Sequence, residues 1–326
     1  MLPPIRVVAF GGGHGLAASL RALRHSAAEV DLRITAVVTV GDDGGSSGRL
    51  RAQRGGLPPG DLRQAIAALA ADDPLSTRTA ELLQYRWADR SPQGGPDDPL
   101  GGHAVGNLLL SGLFEMTDDP VAALDHVGAL VRAQGRVLPM SCEPVGIEAD
   151  VIGADPDRPA ELITVRGQRA VAITPGRVLA VRITPASPAA CPETLTAVRE
   201  ADWLIFGPGS WYTSVIPHLL VPQLAEAILA SEASRLVTLN LAPERETLGL
   251  SLAGHLAALR RYLPGLTVDT VIADGKAVGN PEPVRRAAES LGARLVLAPV
   301  AVADGDPRHD PVALGAALVP ALGAVR

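Results

Sequence analysis

The sequence predicts an α/β fold of the Rossmann-like, doubly wound type, with a mainly parallel sheet and an antiparallel insertion. Short apolar runs rich in β-branched residues alternate with segments of helical hydrophobic spacing, and a glycine-rich loop follows the first of these runs. The alternation is interrupted once, at about residues 136–190. Because the same alternation resumes afterwards, we expect residues 1–326 to form a single domain.

The amino-terminal segment has the order strand, glycine loop, helix and strand. Residues 5–10 form a short apolar run, residues 16–23 have helical spacing, and residues 34–40 are rich in β-branched side chains. Residues 41–60 then lose this periodicity in a run of Gly, Asp, Ser, Arg and Pro. A loop of that length without secondary structure is uncommon in a compact domain. We therefore expect residues 41–60 to be a functional loop.

Two helices are predicted after this loop. Asp61 is placed to cap the first, which covers residues 66–71, and Gln64 three residues later would complete a capping box. A second loose stretch at residues 91–102 precedes an apolar segment of helical spacing at residues 105–116.

The insertion is predicted from short strand-like pieces that Gly and Pro separate. These pieces are residues 145–152, 162–165, 169–173 and 178–183. After the insertion, strands are expected at residues 203–206, 236–240, 268–273 and 294–297 and helices at residues 223–230, 252–262 and 283–291. Strands that alternate with helices form a parallel sheet whose two faces are both covered.

Composition excludes several classes of protein. The chain has 29 basic and 35 acidic residues, a net charge of −6 and a pI near 5.7, which argues against a nucleic-acid-binding protein. Two cysteines, Cys142 and Cys191, are too few for a disulfide framework in 326 residues. The first residues lack the features of a signal peptide, and no apolar run approaches the ~18 residues of a membrane span. We therefore expect a cytoplasmic protein that binds neither nucleic acid nor membranes.

Two glycine-rich loops follow predicted strands and could bind a phosphate. The first loop is Gly11, Gly12, Gly13, His14 and Gly15, and the second contains Gly207, Gly209 and Ser210, followed by Tyr212. Because glycines lack side chains, a phosphate can approach the backbone, and a helix that begins there offers free N–H groups. The alternative for the first loop is a tight packing turn. Tyr212 adds an aromatic face on which a ligand could stack.

Asp42 and Asp43 are adjacent carboxylates in the loop at residues 41–60. They could hold Mg²⁺ on a diphosphate, bond the hydroxyl groups of a ribose, or act as catalytic groups in a transfer reaction. Ser46 and Ser47 could bind phosphate oxygens together with backbone amides. The alternative is a solvated turn, since Asp-Gly and Ser-Gly are turn signals.

Four further polar side chains are candidate ligand-binding groups. Asp61 is either a ligand or a plain helix cap. His103 and Asn107 lie four residues apart and could present a hydrogen-bonding edge to a base or a sugar, although a histidine near a helix start is often structural. Asn240 ends a predicted strand and would deliver an amide to the same edge of a parallel sheet.

Five motifs carry a resemblance to a known family. In chain order they are GGGHGLAASLRAL, TVGDDGGSSGRLR, LPPGDLRQ, GHAVGNLLLSGL and GPGSWYTSVIPHLLV. Together they resemble the YvcK family, the gluconeogenesis factor branch of the CofD-like proteins, over nearly the whole chain. The resemblance implies a Rossmann-like fold and a cytoplasmic protein that binds UDP-sugars, notably UDP-N-acetylglucosamine. It further implies a role in setting carbon flow into cell-wall precursors, with effects on cell shape and on growth on gluconeogenic carbon sources.

The resemblance also extends to the carboxyl-terminal part of the chain. Arg308, in Arg308-His309-Asp310, resembles the family's RHD element, whose arginine is linked to UDP-sugar binding; the alternative is a helix start that Asp310 caps. The chain departs from the family at His14, where threonine is usual, and between residues 241 and 247. The partners we expect are a UDP-sugar or related nucleotide, a second copy of the chain, and a protein partner in cell-wall precursor synthesis.

Three functions remain open on the sequence. The first is a UDP-sugar-binding regulator, which need not turn anything over. The second is a Mg²⁺-dependent nucleotidyl or phospholactate transferase of the CofD type, whose evident candidates for a general base are Asp42, Asp43 and His103. The third is a nicotinamide oxidoreductase, which would rest on the G-x-G-x-x-A pattern from Gly13 alone.

Overall fold

A seven-stranded parallel sheet forms the centre of the structure, a computed structural model that describes residues 3–91 and 98–323. The strands along the chain are β1 (Ile5–Gly11), β2 (Leu32–Val38), β3 (Arg136–Pro139), β4 (Gly146–Ile152), β5 (Leu162–Arg166), β6 (Arg177–Thr184), β7 (Trp203–Phe206), β8 (Ser234–Thr238), β9 (Thr270–Ala273) and β10 (Arg294–Leu297). The order across the large sheet is β10-β9-β8-β7-β1-β2-β3, with all neighbours parallel. The other three strands form a small antiparallel sheet in the order β5-β4-β6. The predicted fold class is confirmed.

Helices flank the large sheet and occupy most of its connections. They are α1 (Gly13–Ser26), α2 (Gly45–Arg54), α3 (Pro59–Ala68), α4 (Pro74–Gln84), α5 (Val105–Thr117), α6 (Pro120–Leu130), α7 (Gln168–Ala172), α8 (Pro192–Glu200), α9 (Ile216–Leu220), α10 (Pro222–Ala230), α11 (Leu252–Tyr262), α12 (Gly275–Val278), α13 (Glu282–Glu289) and α14 (Pro311–Gly323). A π-helical turn, Trp211–Val215, leads directly into α9, and a 3₁₀ turn covers Arg245–Thr247.

The two central strands, β1 and β7, are buried along nearly their whole length because helices cover both faces of the sheet. Phe10 and Phe206 lie opposite each other in register, and their rings stack with centroids 4.9 Å apart. His218 of α9 meets the Phe10 ring edge-on, and its Nδ1 and Nε2 lie 3.2 and 3.1 Å from the backbone carbonyl oxygens of Val215 and Val37, of which a neutral ring can donate to one. Burial lowers the pKa of His218 to about 4, so this histidine is a neutral core residue.

The direction of winding reverses between β1 and β7. From β1 the chain proceeds outward to β2 and β3, then returns to the other side of β1 and proceeds from β7 to β10. At such a switch point the connections from the two central strands run to opposite sides of the sheet. Ligands bind in the crevice that this leaves at the carboxyl ends of the strands. The loops concerned here are the two glycine-rich loops singled out from the sequence.

The two loops meet through their backbones. Gly15, in the first turn of α1, lies so close to the loop after β7 that a Cβ there would overlap the Pro208 carbonyl oxygen and come within 2.6 Å of the Gly209 Cα. The side chain of Ser19 in α1 donates to the carbonyl of Gly207 at 3.2 Å. This contact fixes α1 against the end of β7.

Four local expectations differ from the structure. Residues 41–60 contain helix α2, whose buried residues are Ser46, Ser47 and Leu50, so it carries too little apolar surface to show helical spacing. Residues 169–173 fall largely in helix α7, whose five residues are too few for a detectable period. Strand β3 pairs in parallel with β2, so the antiparallel sheet starts only at β4. Asp61 lies inside the first turn of α3, which begins at Pro59, and is therefore not its N-cap.

Of the predicted loose stretch at residues 91–102, residues 92–97 lie outside the described residues. Across residues 3–91 and 98–323, no single helix has the length and hydrophobicity of a membrane span, and the pair Trp211–Leu220 and Pro222–Ala230 reaches that length only jointly, with a bend of 80°.

We expect Gly15→Ala to lower the free energy of unfolding by about 1–3 kcal/mol, because a rigid backbone neighbour must move to accept the new methyl group. Urea denaturation measures this change. The matched control is Gly112→Ala in helix α5, where a Cβ meets open space; it should stabilise the protein by roughly 0.5–1 kcal/mol. Equal effects of the two substitutions would contradict the close packing of α1 on the loop after β7.

Candidate functional site

A cleft lies at the carboxyl ends of the central strands β1 and β7, where the order of winding reverses. It has two halves of about 410 and 430 Å³ that share His14, Gly15, Gly209 and Glu244. The half that we call the acidic half is also lined by Gly12, Gly13, Asp42, Gly44, Asp61, Gln64, Gln168, Arg169, Ala172, Ser210, Thr213 and Ser214. The half that we call the arginine half is also lined by Ala18, Arg21, Pro208, Asn240, Leu241, Ala242, Pro243, Val302, Pro307, Arg308, His309 and Pro311.

The glycines of the first loop bring the backbone itself to the surface of the acidic half. A Cβ at Gly12 would lie 2.5 Å from an Asp61 carboxylate oxygen and 2.8 Å from Thr39 Oγ1. Gly13 has φ +54°, a left-handed conformation that favours glycine. Helix α1 begins at Gly13, whose N–H bonds the Asp61 carboxylate, and the next N–H groups of its first turn have no intrahelical partner. An anion at this position would be stabilised by these groups and by the helix dipole. Gly11, the last residue of β1, is buried behind this loop.

Asp42 and Asp61 form the carboxylate pair of the acidic half. Asp42 accepts a hydrogen bond from the Gly44 N–H at 2.9 Å, and burial raises its pKa. Burial, and then the neighbouring charge of Asp42, raise the pKa of Asp61 to about 7. Two partly desolvated carboxylates that face one cavity need a cation or protons for compensation.

This pair is the group in the cleft that could hold a metal ion. Mg²⁺ is typically bound by one or two carboxylates and completes its shell with waters and phosphate oxygens of the substrate. Asp42 and Asp61 fit that description with a phosphorylated ligand beside them. Within the described ranges, no cluster of three or more His, Cys, Asp or Glu side chains could hold a metal without such a ligand.

Asp43 does not accompany Asp42 into the cleft. Its carboxylate accepts the backbone N–H of Arg169 at 2.8 Å and occupies the space beside Gly167 where a Cβ would stand. Asp43 therefore anchors α7 of the insertion to the main body. The two adjacent carboxylates that the sequence offered as a metal site are split between two roles.

Ser46, His103 and Asn107 come together behind the cleft and do not line it. The Ser46 hydroxyl lies 2.9 Å from His103 Nδ1 and accepts from Asn107 Nδ2 at 3.0 Å. Asn107 Oδ1 in turn accepts from Arg63 Nε at 2.8 Å, and Arg63 reaches Gln84. All of these except Gln84 are buried, so the network ties α2, α3, α4 and α5 together. The neighbouring hydroxyl of Ser47 is also buried and lowers the pKa of Asp42 by hydrogen bonding.

The second glycine-rich loop is held by Asn240 from the next strand end. The Asn240 side chain accepts the Gly209 N–H at 2.8 Å and donates to the Gly209 carbonyl at 2.9 Å. Gly207 has φ +71° and packs on the Thr238 carbonyl, where a Cβ would approach to 2.8 Å. Gly209 and Ser210 line the cleft, whereas Tyr212 is buried with its ring edge-on to Tyr262 and does not line it.

The arginine half contains the Arg308-His309-Asp310 element. Arg308 lines the cavity, and its guanidinium bonds Asp304 and Asp306 on the exposed side. Asp310 accepts the N–H groups of Val312 and Ala313, so it also caps helix α14. The element therefore has both features at once: Arg308 lines the cavity, and Asp310 caps the helix.

Several cleft residues gave no recognisable signal in the sequence. Arg169 and Gln168 reach the acidic half from α7, a five-residue helix in a segment that resembled a strand. Thr213 and Ser214 were visible as part of the second glycine-rich loop but not distinguishable from core. Glu244 lines both halves, and burial raises the pKa of its carboxyl group.

The buried carboxylate of Glu246 holds the segment that follows the second glycine-rich loop. One carboxylate oxygen accepts the Tyr212 N–H at 2.8 Å and the other accepts the Thr213 hydroxyl at 2.8 Å. Burial raises the pKa of Glu246 to about 7, and the nearby Glu244 contributes in the same direction. The π-helical turn at Trp211–Val215 is thus fixed by a buried carboxyl group.

Another cavity, of about 510 Å³, lies at the amino ends of β1, β2 and β3, against α8. Its arginines include Arg6 and Arg136, which are already paired with Asp202 and Asp125. Ligands of parallel α/β sheets bind at the carboxyl ends of strands, so the cleft at the switch point is the better candidate site.

The chain is similar to proteins of one family over nearly its whole length. The family model for 2-phospho-L-lactate transferase CofD matches residues 7–296. A protein of Mycobacterium tuberculosis named as a gluconeogenesis factor is 48% identical over 316 residues, which are 96% of this chain and 89% of that protein. The gluconeogenesis factor of Bacillus subtilis is 34% identical over 89% of this chain and 84% of its own length. A crystal structure of a UPF0052 family member from Bacillus halodurans superposes with a TM-score of 0.81 at 30% identity, over 98% of this chain and 100% of that one.

Glu246 should make the stability of the protein depend on pH. The folded state keeps a proton on this carboxyl group up to about pH 7, whereas a free glutamate loses it near 4.5, so stability should fall as pH rises through that window. Glu246→Gln removes the titration while its amide oxygen still accepts the Tyr212 N–H. Relative to wild type, we expect this variant to gain up to about 3 kcal/mol in free energy of unfolding between pH 4.5 and 7.5. Parallel stability curves of the two proteins in urea titrations would contradict the assignment.

Proposed function

Because the chain belongs to the CofD family and to its gluconeogenesis factor branch, we propose that the cleft binds a UDP-sugar, notably UDP-N-acetylglucosamine. In this proposal the protein is a regulator that senses the sugar nucleotide. It would act on carbon flow into cell-wall precursors, on growth on gluconeogenic carbon sources and on cell shape, through a protein partner in precursor synthesis.

One observation carries this proposal: the two glycine-rich loops meet at the switch point of the sheet. Gly12 and Gly13 expose the backbone at the start of α1, and Gly209 and Ser210 line the same half of the cleft from the end of β7. A diphosphate is the ligand group that such a cradle suits, because its oxygens accept hydrogen bonds from backbone amides that no side chain obstructs.

Arg169 supports a strongly anionic ligand in the same place. It lines the acidic half, and no ion pair of this arginine is found in the described parts of the chain. Its backbone N–H is held by Asp43, which fixes the point of α7 from which this side chain extends. The positive charge would offset the negative charge of a diphosphate bound in the acidic half.

The arginine half suits the remaining parts of a sugar nucleotide. It is continuous with the acidic half and offers Arg21, Arg308 and Asn240 beside apolar side chains. Ligand pockets of this kind combine an apolar lining with a few polar groups that set orientation. A regulator needs no turnover here, since a ligand shifts a conformational equilibrium through differential affinity for two states.

Isothermal titration calorimetry with UDP-N-acetylglucosamine, UDP, GDP and NAD, each with and without Mg²⁺, tests the proposal directly. We expect the two uridine nucleotides to bind more tightly than GDP or NAD. Arg169→Gln should weaken binding about 10-fold or more, because it removes a charge-assisted hydrogen bond.

The matched control is Arg166→Gln, three residues earlier. Arg166 is paired with Glu148 on the outer side of the small sheet and does not line the cleft, so this variant should bind as the wild type does. Absence of uridine nucleotide binding at millimolar concentration would exclude the proposed ligand. Equal weakening by both variants would exclude the proposed role of Arg169.

A transferase of the CofD type is the second candidate, and the Asp42 and Asp61 pair favours it. Bound Mg²⁺ would neutralise charge that develops on a transferring phosphoryl group, and backbone amides beside it would orient the group. Asp42 and Asp61 would hold the metal. His103, which the sequence offered as a general base beside Asp42 and Asp43, is buried outside the cleft and does not face a ligand bound there.

Magnesium-dependent turnover separates this candidate from pure binding. If the protein is a transferase, product formation from a nucleotide-linked phospho donor should require Mg²⁺. The rate of product formation should fall at least 100-fold in Asp42→Asn. It should fall far less in Asp43→Asn, because the Asp43 carboxylate lies outside the acidic half. The readout is mass-spectrometric detection of product. No product under any condition in which the nucleotide binds would leave regulation as the function of the cleft.

A further inference from the structure

The two cysteines lie at the base of the antiparallel insertion. Cys142 stands between β3 and β4, where the chain leaves the large sheet, and Cys191 stands between β6 and α8, where it returns. The segment between them contains all three strands of the small sheet and helix α7. The cysteines therefore occupy the two connections between the insertion and the main body.

These two connections touch each other through the cysteines. The Cys191 N–H donates to the Met140 carbonyl at 3.2 Å, which places Cys191 beside the strand end that leads to Cys142. The side chain of Cys142 packs against Cys191 in a small apolar cluster with Val121 and Leu138. The Cys142 thiol donates to the Cys191 sulfur, the Cys191 thiol donates to Glu193 Oε2 at 3.2 Å, and neither cysteine is part of a disulfide.

The pair is chemically asymmetric. Cys142 is half-buried and accessible to small molecules, whereas Cys191 is fully buried immediately before the first residue of α8. The hydrogen bond from Cys142 and the backbone N–H of Thr194 lower the pKa of Cys191, whereas burial and the Glu193 carboxylate act in the opposite direction. The same thiol–thiol hydrogen bond raises the pKa of Cys142. The half-buried Cys142 is thus the sulfur nearer to solvent, it reacts after losing its proton, and the buried Cys191 lies beside it.

We propose that Cys142 and Cys191 form a reversible redox modification site, at which a hydroperoxide joins the two thiols in a disulfide across the base of the insertion. This role is independent of what the cleft binds. Disulfides in reduced compartments are mostly of this transient kind rather than structural.

The reaction has two steps that balance. A hydroperoxide oxidises the half-buried Cys142 sulfur: the O–O bond breaks, an S–O bond forms, and the Cys142 proton leaves with the departing alkoxide as an alcohol, or as water from hydrogen peroxide. Cys191 then attacks the Cys142 sulfur: the S–S bond forms, the S–O bond breaks, and hydroxide leaves as water with the Cys191 proton. Two thiols supply the two electrons that reduce one hydroperoxide. A dithiol reductant reverses the change.

The disulfide would lock the two connections of the insertion together. The insertion carries Arg169 to the cleft and is anchored there by Asp43, so its freedom relative to the large sheet would fall. A crosslink that closes a loop of about 50 residues also restricts the unfolded chain. We therefore expect the oxidised protein to be more stable and its insertion less accessible to proteases.

The test treats the full chain with hydrogen peroxide or with tert-butyl hydroperoxide, then measures intact mass, thiol content and tryptic peptides without reduction. We expect a mass loss of about 2 Da, loss of both thiols and a linked peptide pair that dithiothreitol separates. The melting temperature should rise by about 5 °C, and cleavage within the insertion by trypsin should slow several-fold.

Variants keep the test decisive even if the buried cysteine is needed for folding. Cys142→Ser, at the half-buried position, should keep its stability, lose the 2 Da change and lose the rise in melting temperature. Cys191→Ser should instead trap a sulfenic acid on Cys142, detected by a dimedone adduct. Two free thiols after peroxide treatment, oxygen adducts without a crosslink, or a disulfide between two copies of the chain would each overturn the proposal.

Discussion

The approach of two backbones at the centre of the sheet is the constraint on which the site depends. Gly15 in the first turn of α1 touches the loop after β7 so closely that no side chain fits between them. This contact requires β1 and β7 to be neighbours, and their register brings Phe10 and Phe206 level at the point where both strands end. The glycine loops can then face a common cavity, because the helix and the strand end that carry them are held at a fixed distance.

Electrostatics divides the cleft into regions with different demands. Burial raises the pKa of Asp42, Asp61 and Glu244. Water and the surrounding protein therefore stabilise the charged forms of these carboxyl groups less well than bulk water would. Positive groups stand at a distance on other elements, in Arg169 of the insertion and Arg308 near the carboxyl terminus. Such a distribution is unfavourable in an empty cleft and becomes favourable with a ligand that brings both a cation and phosphates. Perturbed acid groups of this kind concentrate at functional sites.

The sequence predicted the fold class and the edge of the sheet where the cleft lies, because hydrophobic period and the placement of glycines are local properties. It could not assign the partner of Asp42. The adjacent Asp43 was the nearest carboxylate along the chain, but neighbouring side chains outside a helix tend to point to opposite sides, and the actual partner, Asp61, arrives on the first turn of α3. Ser46 was expected in a phosphate-binding loop, and His103 and Asn107 were expected at a ligand's edge; their shared burial depends on how α2, α3 and α5 pack. Helix α7 left no period to detect in its five residues.

The hydrogen bonds behind the cleft have a fixed direction, and this has a consequence for substitution. Arg63 can only donate, so Asn107 must present its oxygen to Arg63 and its amide hydrogens to Ser46. The Ser46 hydroxyl, which finds no other acceptor among the described residues, then gives its hydrogen to Nδ1 of His103, and the imidazole carries its own proton on Nε2. Replacing one member reverses or removes a bond for the next, which leaves two donors or two acceptors face to face. The losses of stability caused by substitutions at these four positions should therefore be strongly non-additive in a double-mutant cycle. A substitution at one position keeps the network intact only if its neighbour is changed to match.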